Sequence, residues 1–136
     1  MKRAAIVLAA AVGLLGACLL AHMALIEWSG EVIVLRTEKP GGGWLETRLW
    51  IVDDGGSAWL HGGDSAWMAN LRARPVVEIE RSGATRRYRA EAVPGPHPRI
   101  HELLRGKYGF ADRWVRFVGP DQESTTAVRL EFVAAP

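Results

Sequence analysis

Hydrophobic and polar positions change period along this chain, and the changes mark its parts. From Ala4 to Ile26 there is no alternation at all: 23 residues pass without a formal charge, and only His22 interrupts their apolar character. As a helix rising about 1.5 Å per residue, this run reaches roughly 34 Å, enough to cross a hydrocarbon core of about 30 Å. Lys2 and Arg3 precede it, and Glu27, Trp28 and Ser29 follow it, with Trp a common interfacial anchor. Beyond residue 30 the pattern becomes short and alternating. Glu31–Thr37 is β-branched and apolar and reads as a strand. Leu45–Val52 alternates Leu45, Thr47, Leu49 and Ile51 against Glu46, Arg48, Trp50 and Val52, and reads as a second. Asp53-Asp54-Gly55-Gly56 signals a hairpin into a third, Ser57–His61. Val76–Arg81 and Ala84–Val93 flank Ser82-Gly83 as another hairpin, with Val77, Ile79, Tyr88, Ala90 and Ala92 on its inner face. Thr125–Val133 is a last strand.

Three segments switch to helical spacing. Asp64 or Ser65 can cap a short helix from Ala66 to about Arg72, in which Trp67 and Leu71 share a face. Pro98 suits a first helical turn, and Ile100, Leu103, Leu104 and Tyr108 follow as one stripe ended by Gly109. Asp112 can cap a further helix carrying Trp114, Phe117 and Val118. About six short strands with two or three helical insertions, and no strand–helix–strand rhythm, predict an antiparallel sheet that closes on itself. The expected organisation is an anchor or signal-anchor helix over 1–28 and a mainly β domain with appended helices over 29–136.

An uncleaved single-pass anchor is the preferred reading of the N-terminus, because the apolar run exceeds the 7–15 residues or so of a signal-peptide core. Leu15-Gly16-Ala17-Cys18 resembles a lipobox, but the chain stays apolar for eight more residues. Orientation is nearly a tie, since Arg36 and Lys39 lie close behind the helix and offset Lys2 and Arg3. His22, near the far end of the run, reads as interfacial.

Charge and composition narrow the function. The formal net charge is +2, and with Lys2, Arg3 and Glu27 set aside 15 basic residues face 14 acidic ones. That balance excludes a general nucleic-acid binder. Cys18 is the single cysteine, so neither an intrachain disulfide nor a cysteine-based zinc site is available. His97 and His101 are four apart beside Glu102, a spacing that can seat a metal, but no third ligand is evident in the sequence. The pair reads as exposed surface, and no metal is expected. No activated nucleophile stands out, and no catalytic residue is assigned.

Val34-Leu35-Arg36-Thr37, then Glu46-Thr47-Arg48-Leu49-Trp50, then Ala66-Trp67-Met68-Ala69-Asn70-Leu71-Arg72-Ala73-Arg74-Pro75 with Val77 and Glu78 behind it, together resemble the deazaflavin-dependent nitroreductase family. The likeness covers roughly residues 31–93, and the tryptophan-to-proline segment is its most specific part. The resemblance implies a split β-barrel of the FMN-binding type and a deazaflavin coenzyme or FMN as cofactor. It implies that Lys39 stands in the phosphate-binding loop, where the family's paired Arg-Lys is reduced to one cation and Arg48 can replace the other. It places His61, Gly62, Gly63 and Ser65 where related barrels approach the cofactor tail, and it makes Trp67 and Asn70 cofactor-binding residues. Each has a plainer reading: Lys39 and Arg48 as solvated charges, Gly62-Gly63 as a turn, Trp67 as core. Tyr108 beside Lys107 resembles a late family tyrosine near the substrate pocket.

The function implied is a membrane-anchored oxidoreductase that passes a hydride to a small hydrophobic acceptor such as a quinone, with the cofactor carrying the redox chemistry. The partners expected are membrane lipid and that acceptor, with a homodimer open to the chain. Two alternatives from other classes stand beside it: a non-catalytic binding module for a planar ligand (haem or lipid-like), and a structural membrane subunit. If Ala4–Ile26 is an anchor, carbonate washing of membranes leaves the protein in the pellet. A soluble mature form beginning after residue 20 rejects the anchor, and lipid labelling lost in Cys18→Ala replaces it with the lipoprotein.

Overall fold

The computed structural model describes residues 2–119 and 124–134. It contains two compact units, 1–30 and 31–136. The first is a single helix, α1 (Lys2–Trp28), with no buried residue. Ser29 Oγ donates to the Ile26 carbonyl at 2.9 Å and closes the last turn.

The second unit runs β1 (Val32–Glu38), β2 (Trp44–Trp50), β3 (Val52–Asp54), β4 (Ser57–Gly62), α2 (Ala66–Ala73), β5 (Val76–Arg81), β6 (Ala84–Val93), α3 (Pro98–Tyr108), α4 (Phe110–Val118) and β7 (Thr126–Phe132). The seven strands form one antiparallel sheet in the order β2-β1-β5-β6-β7-β4-β3. Both hairpin signals hold. Gly55 and Gly56 take φ +60° and +82°, and Ser82 and Gly83 take +52° and +76°, the left-handed pairs that two-residue hairpins need.

The expected single strand Leu45–Val52 is two strands, which raises six to seven. β2 pairs with β1 as far as Trp50, and β3 pairs with β4 from Val52. The two edges of the sheet are therefore consecutive in the chain, joined through Ile51 alone, and the sheet must curl to bring them together. Ile51 leaves the ladder, so its amide needs other partners. Tyr108 Oη accepts from the Ile51 N–H at 3.1 Å and donates to the Glu31 carbonyl at 2.6 Å. Lys107 Nζ donates to the Ile51 carbonyl at 2.7 Å. The Tyr108 ring stacks on Trp50 at 4.4 Å between centroids. Burial pushes the Tyr108 hydroxyl up to about 12, so it keeps its proton for this bond.

Strand alternation then builds two cores. Ile33, Leu35, Ile51, Leu60, Val77, Ile79, Val128 and Leu130 point inward, where Trp67, Met68 and Leu71 of α2 cover them. Val52, Ala127 and, partly, Trp59 point outward beneath Ile100, Leu104 and Tyr108 of α3. Asp112 does not cap α4. The helix begins at Phe110, and Asp112 is buried in its first turn with Arg116 Nε donating to it at 2.6 Å. Because Tyr108→Phe leaves the buried Ile51 N–H unpaired, it should cost about 1–3 kcal/mol. For a domain of this size that is a Tm lower by roughly 4–8 °C per kcal/mol, read by thermal melting of the detergent-solubilised chain. A change within about 0.5 kcal/mol, as at surface sites, would show that the closure does not depend on this hydroxyl.

Candidate functional site

β4 and α3 bring three histidines together. On β4, Leu60 points inward, so Trp59 and His61 point outward toward α3. The residue opposite His61 on β7 is Ala127, whose small side chain leaves room above it. His97 and His101 continue the α3 stripe of Leu104 and Tyr108 toward its N-terminus, at helical spacing. They therefore land over His61. One ring nitrogen from each of the three lies within 4.8 Å of the others. His97 and His101 stack at 4.4 Å, and His61 meets them edge-on at 5.8 and 5.2 Å. The expectation of an exposed pair without a third donor is corrected: both helix histidines are half-buried, and His61, 36 residues before His97, completes the group.

The surroundings keep the His61 and His101 rings neutral. Burial, then the neighbouring His101, His97 and Arg116, lowers His61 to about 4. Burial, then His97 and Arg116, lowers His101 to about 4 as well, against the opposing pull of Asp112. His97 Nδ1 lies 3.2 Å from the Gly95 carbonyl and its Nε2 lies 3.3 Å from Thr125 Oγ1. Arg116 Nη2 donates to the His101 carbonyl at 3.2 Å and lies 3.4 Å from its Nδ1. His61 Nε2 is buried and has no hydrogen-bond partner among the described residues. A cavity of about 690 Å³ opens beside the group, walled by Pro94–Pro98, His101 and residues 124–126.

Of the residues expected at a cofactor, Gly62, Gly63, Ser65 and Trp67 stand at the start of α2, and Asn70 toward its other end near the turn of Lys39, while His61 faces α3 and Arg48 lies out on β2. Lys39 is exposed in the β1–β2 turn, where its N–H bonds to the Gly43 carbonyl at 2.9 Å and its side chain folds back beside Gly43. Arg48 is exposed on β2 opposite Val34, about 13 Å along the strand from the turn at Trp44. Ser65 occupies the N-cap position of α2, yet neither it nor Asp64 caps the helix through its side chain. Asp64 instead reaches Arg72 at 3.5 Å, both exposed. Trp67 is core, and Asn70 is buried with its Nδ2 donating to Thr37 Oγ1 at 3.2 Å, which ties α2 to the end of β1. Gly62 is fixed by packing, because a Cβ there would stand 2.6 Å from Trp67 Cζ2, while Gly63 meets nothing within 4 Å. Tyr108 belongs to the sheet closure and not to a pocket.

Solved structures share this architecture. HutZ, a haem storage protein from Vibrio cholerae, superposes with a TM-score of 0.60 at 13% identity, over 76% of this chain and 82% of its own. The fold is the split β-barrel. A FAD-binding protein from Mesorhizobium loti gives 0.54 at 15% identity, covering 77% and 83%. An F420-H2 dependent reductase gives 0.56 at 15% identity, covering 74% and 93%. No family model matches the sequence, and no curated protein matches it either. At these identities the likeness is one of split-barrel architecture.

Trp67, expected beside a cofactor, provides no ring wall here. The first-turn amides of α2 are not taken by a side-chain cap, and Lys39 and Arg48 are exposed cations, but Trp67 is committed to the core. If Gly62 serves packing, Gly62→Ala should destabilise the domain by about 1–3 kcal/mol by overpacking Trp67. Gly63→Ala should leave the melting temperature nearly unchanged. Thermal melts of the two variants check this, and equal melts would return Gly62 to a ligand role.

Proposed function

We propose that this chain is a membrane-anchored split-barrel protein that binds a flavin or deazaflavin nucleotide and serves hydride transfer to a small hydrophobic acceptor. The observation that carries the reading is the barrel fold with its α2 N-terminus left without a side-chain cap beside Gly63, a place where backbone amides can meet an anion. The share of this fold held by a FAD-binding protein and an F420-H2 dependent reductase supports it. Lys39 in the β1–β2 turn and Arg48, about 13 Å along β2 from that turn, are proposed as two separate cations drawing the cofactor's anionic groups toward the barrel, with the Arg fork as the stronger grip. The bound cofactor would supply the hydride, and the protein would position it. The apolar α1 helix suits an acceptor that partitions into lipid.

A second reading rests on the histidine-walled cavity. Its size suits a planar ligand such as haem, and HutZ is a haem storage protein of the same fold. Titrating the detergent-solubilised chain with FMN, with F420 and with hemin separates the two. Under the first reading FMN or F420 quenches tryptophan fluorescence saturably. Arg48→Ala then weakens binding by roughly ten- to a hundredfold, the worth of one charged hydrogen bond, and Lys39→Ala by less. Equal binding by wild type and the double variant would make both residues surface charges. A Soret band with hemin, and no response to either flavin, would put the second reading first.

A further inference from the structure

We infer that His61, His97 and His101 form a binding site for a divalent transition-metal ion, with zinc the best chemical match. The chain has four histidines, and all three of those in the 31–136 unit converge on this one point. They come from a strand, a helix N-cap and the first turn of the same helix, so their backbones are held by regular structure. His61 Nε2 is buried without a partner among the described residues, and such an atom calls for an explanation. A metal supplies it.

The geometry suits an ion better than a haem. Zinc takes imidazole nitrogen at about 2.0–2.1 Å, so three tetrahedral donors stand roughly 3.3 Å apart. The present nitrogens lie within 4.8 Å, and small rotations about the broad histidine χ2 close the difference. Haem iron offers only two axial positions, on opposite faces, and three donors converging in one place do not match that. Zinc bound by three protein ligands keeps a fourth position open. Here His97 and His101 also wall the 690 Å³ cavity, which gives the ion an entry path and the fourth position room for water or a small oxygen donor. The Gly95 carbonyl, 3.2 Å from His97 Nδ1, can accept that N–H and leave Nε2 as the ligand atom, which would exchange its 3.3 Å contact with Thr125 Oγ1 for the ion. Arg116 is an unfavourable neighbour for a cation, but Asp112 holds its guanidinium at 2.6 Å and offsets its charge.

The test uses the tag-free full chain in detergent, stripped with EDTA and titrated with Co²⁺, with Zn²⁺ as competitor. One equivalent should bind, with the visible bands of four-coordinate cobalt, and Zn²⁺ should displace it. Loss of an outer-shell partner costs about 10–100-fold in metal affinity, so losing a ligand should cost on the order of 100-fold or more. His61→Ala, His97→Ala and His101→Ala should each show that loss, and His22→Ala should show none. Melting gives a second readout: Zn²⁺ should raise the Tm of wild type and not that of His97→Ala, each compared with its own metal-free melt so that the lost contacts to Gly95 and Thr125 cancel. Cobalt affinity unchanged in all three variants overturns the site. So does a hemin Soret band that needs these histidines while Co²⁺ and Zn²⁺ bind no more tightly to wild type than to the triple variant.

Discussion

The backbone of Ile51 is the point on which this domain turns. A seven-stranded sheet whose first and last strands are neighbours in the chain must curl, and all of that change of direction passes through one residue. A residue at such a corner loses its ladder partners, and buried amides left unpaired cost about 1–3 kcal/mol each. The sequence meets this with two adjacent side chains at the end of α3, Lys107 for the carbonyl and Tyr108 for the N–H. A second set of bonds fixes the same corner. Arg81 forks onto Glu31 at 2.7 and 2.9 Å and onto Asp53 at 2.9 and 2.6 Å, joining the starts of β1 and β3 to the end of β5. Those bonds, led by Arg81, hold both carboxyls below their ordinary range, so they remain charged partners at neutral pH.

The corner also sets the histidines in place. Tyr108 fixes the C-terminal end of α3 on the outer face of the sheet, and Ile100 and Leu104 carry the contact back along the helix. At about 1.5 Å per residue, eleven residues span roughly 16 Å, which delivers the N-terminal end of the helix to the far end of β4. There the helix face that packs on the sheet changes from apolar to His97 and His101, and the strand beneath it presents His61. The cluster is a continuation of the packing stripe with donors in place of methyl groups.

Much of the scaffold was legible in the sequence, because each strand declared itself locally. The β5–β6 hairpin and its turn are where alternation and Ser82-Gly83 put them, and the stripe of α3 runs from Pro98 to the stop at Gly109. The break at Ile51 was not legible, because Leu45–Val52 alternates without interruption and the break follows from closure, a long-range demand. Asp112 looked like a cap because its burial against Arg116 depends on how α4 packs on α3. His61 was read with the glycines that follow it for a similar reason. Its link to His97 needs the β4–β7 pairing and the docking of α3, neither of which any short window of sequence contains. One trace was present: His97 and His101 keep the spacing of Leu104 and Tyr108, so they lay on the packed face and not the exposed one.

The same alternation that hid His61 explains how one strand end serves two regions. Successive residues of a strand face opposite sides, so His61 points outward to α3 while Gly62 sits inward against Trp67. The inner side leads through Gly63 and Ser65 into α2 and on, by the Asn70–Thr37 bond, to the turn that carries Lys39. The outer side leads to the histidines and their cavity. A nucleotide at α2 and an ion among the histidines therefore meet different sets of side chains, whereas a haem in the histidine-walled cavity would compete with the ion for His97 and His101. What the two sides share is the backbone of β4, held by β7 on one edge and by β3 on the other. Any shift of that backbone at residues 61 and 62 would be felt on both faces at once, since the Gly62–Trp67 contact leaves no space for it to be absorbed on the inner one.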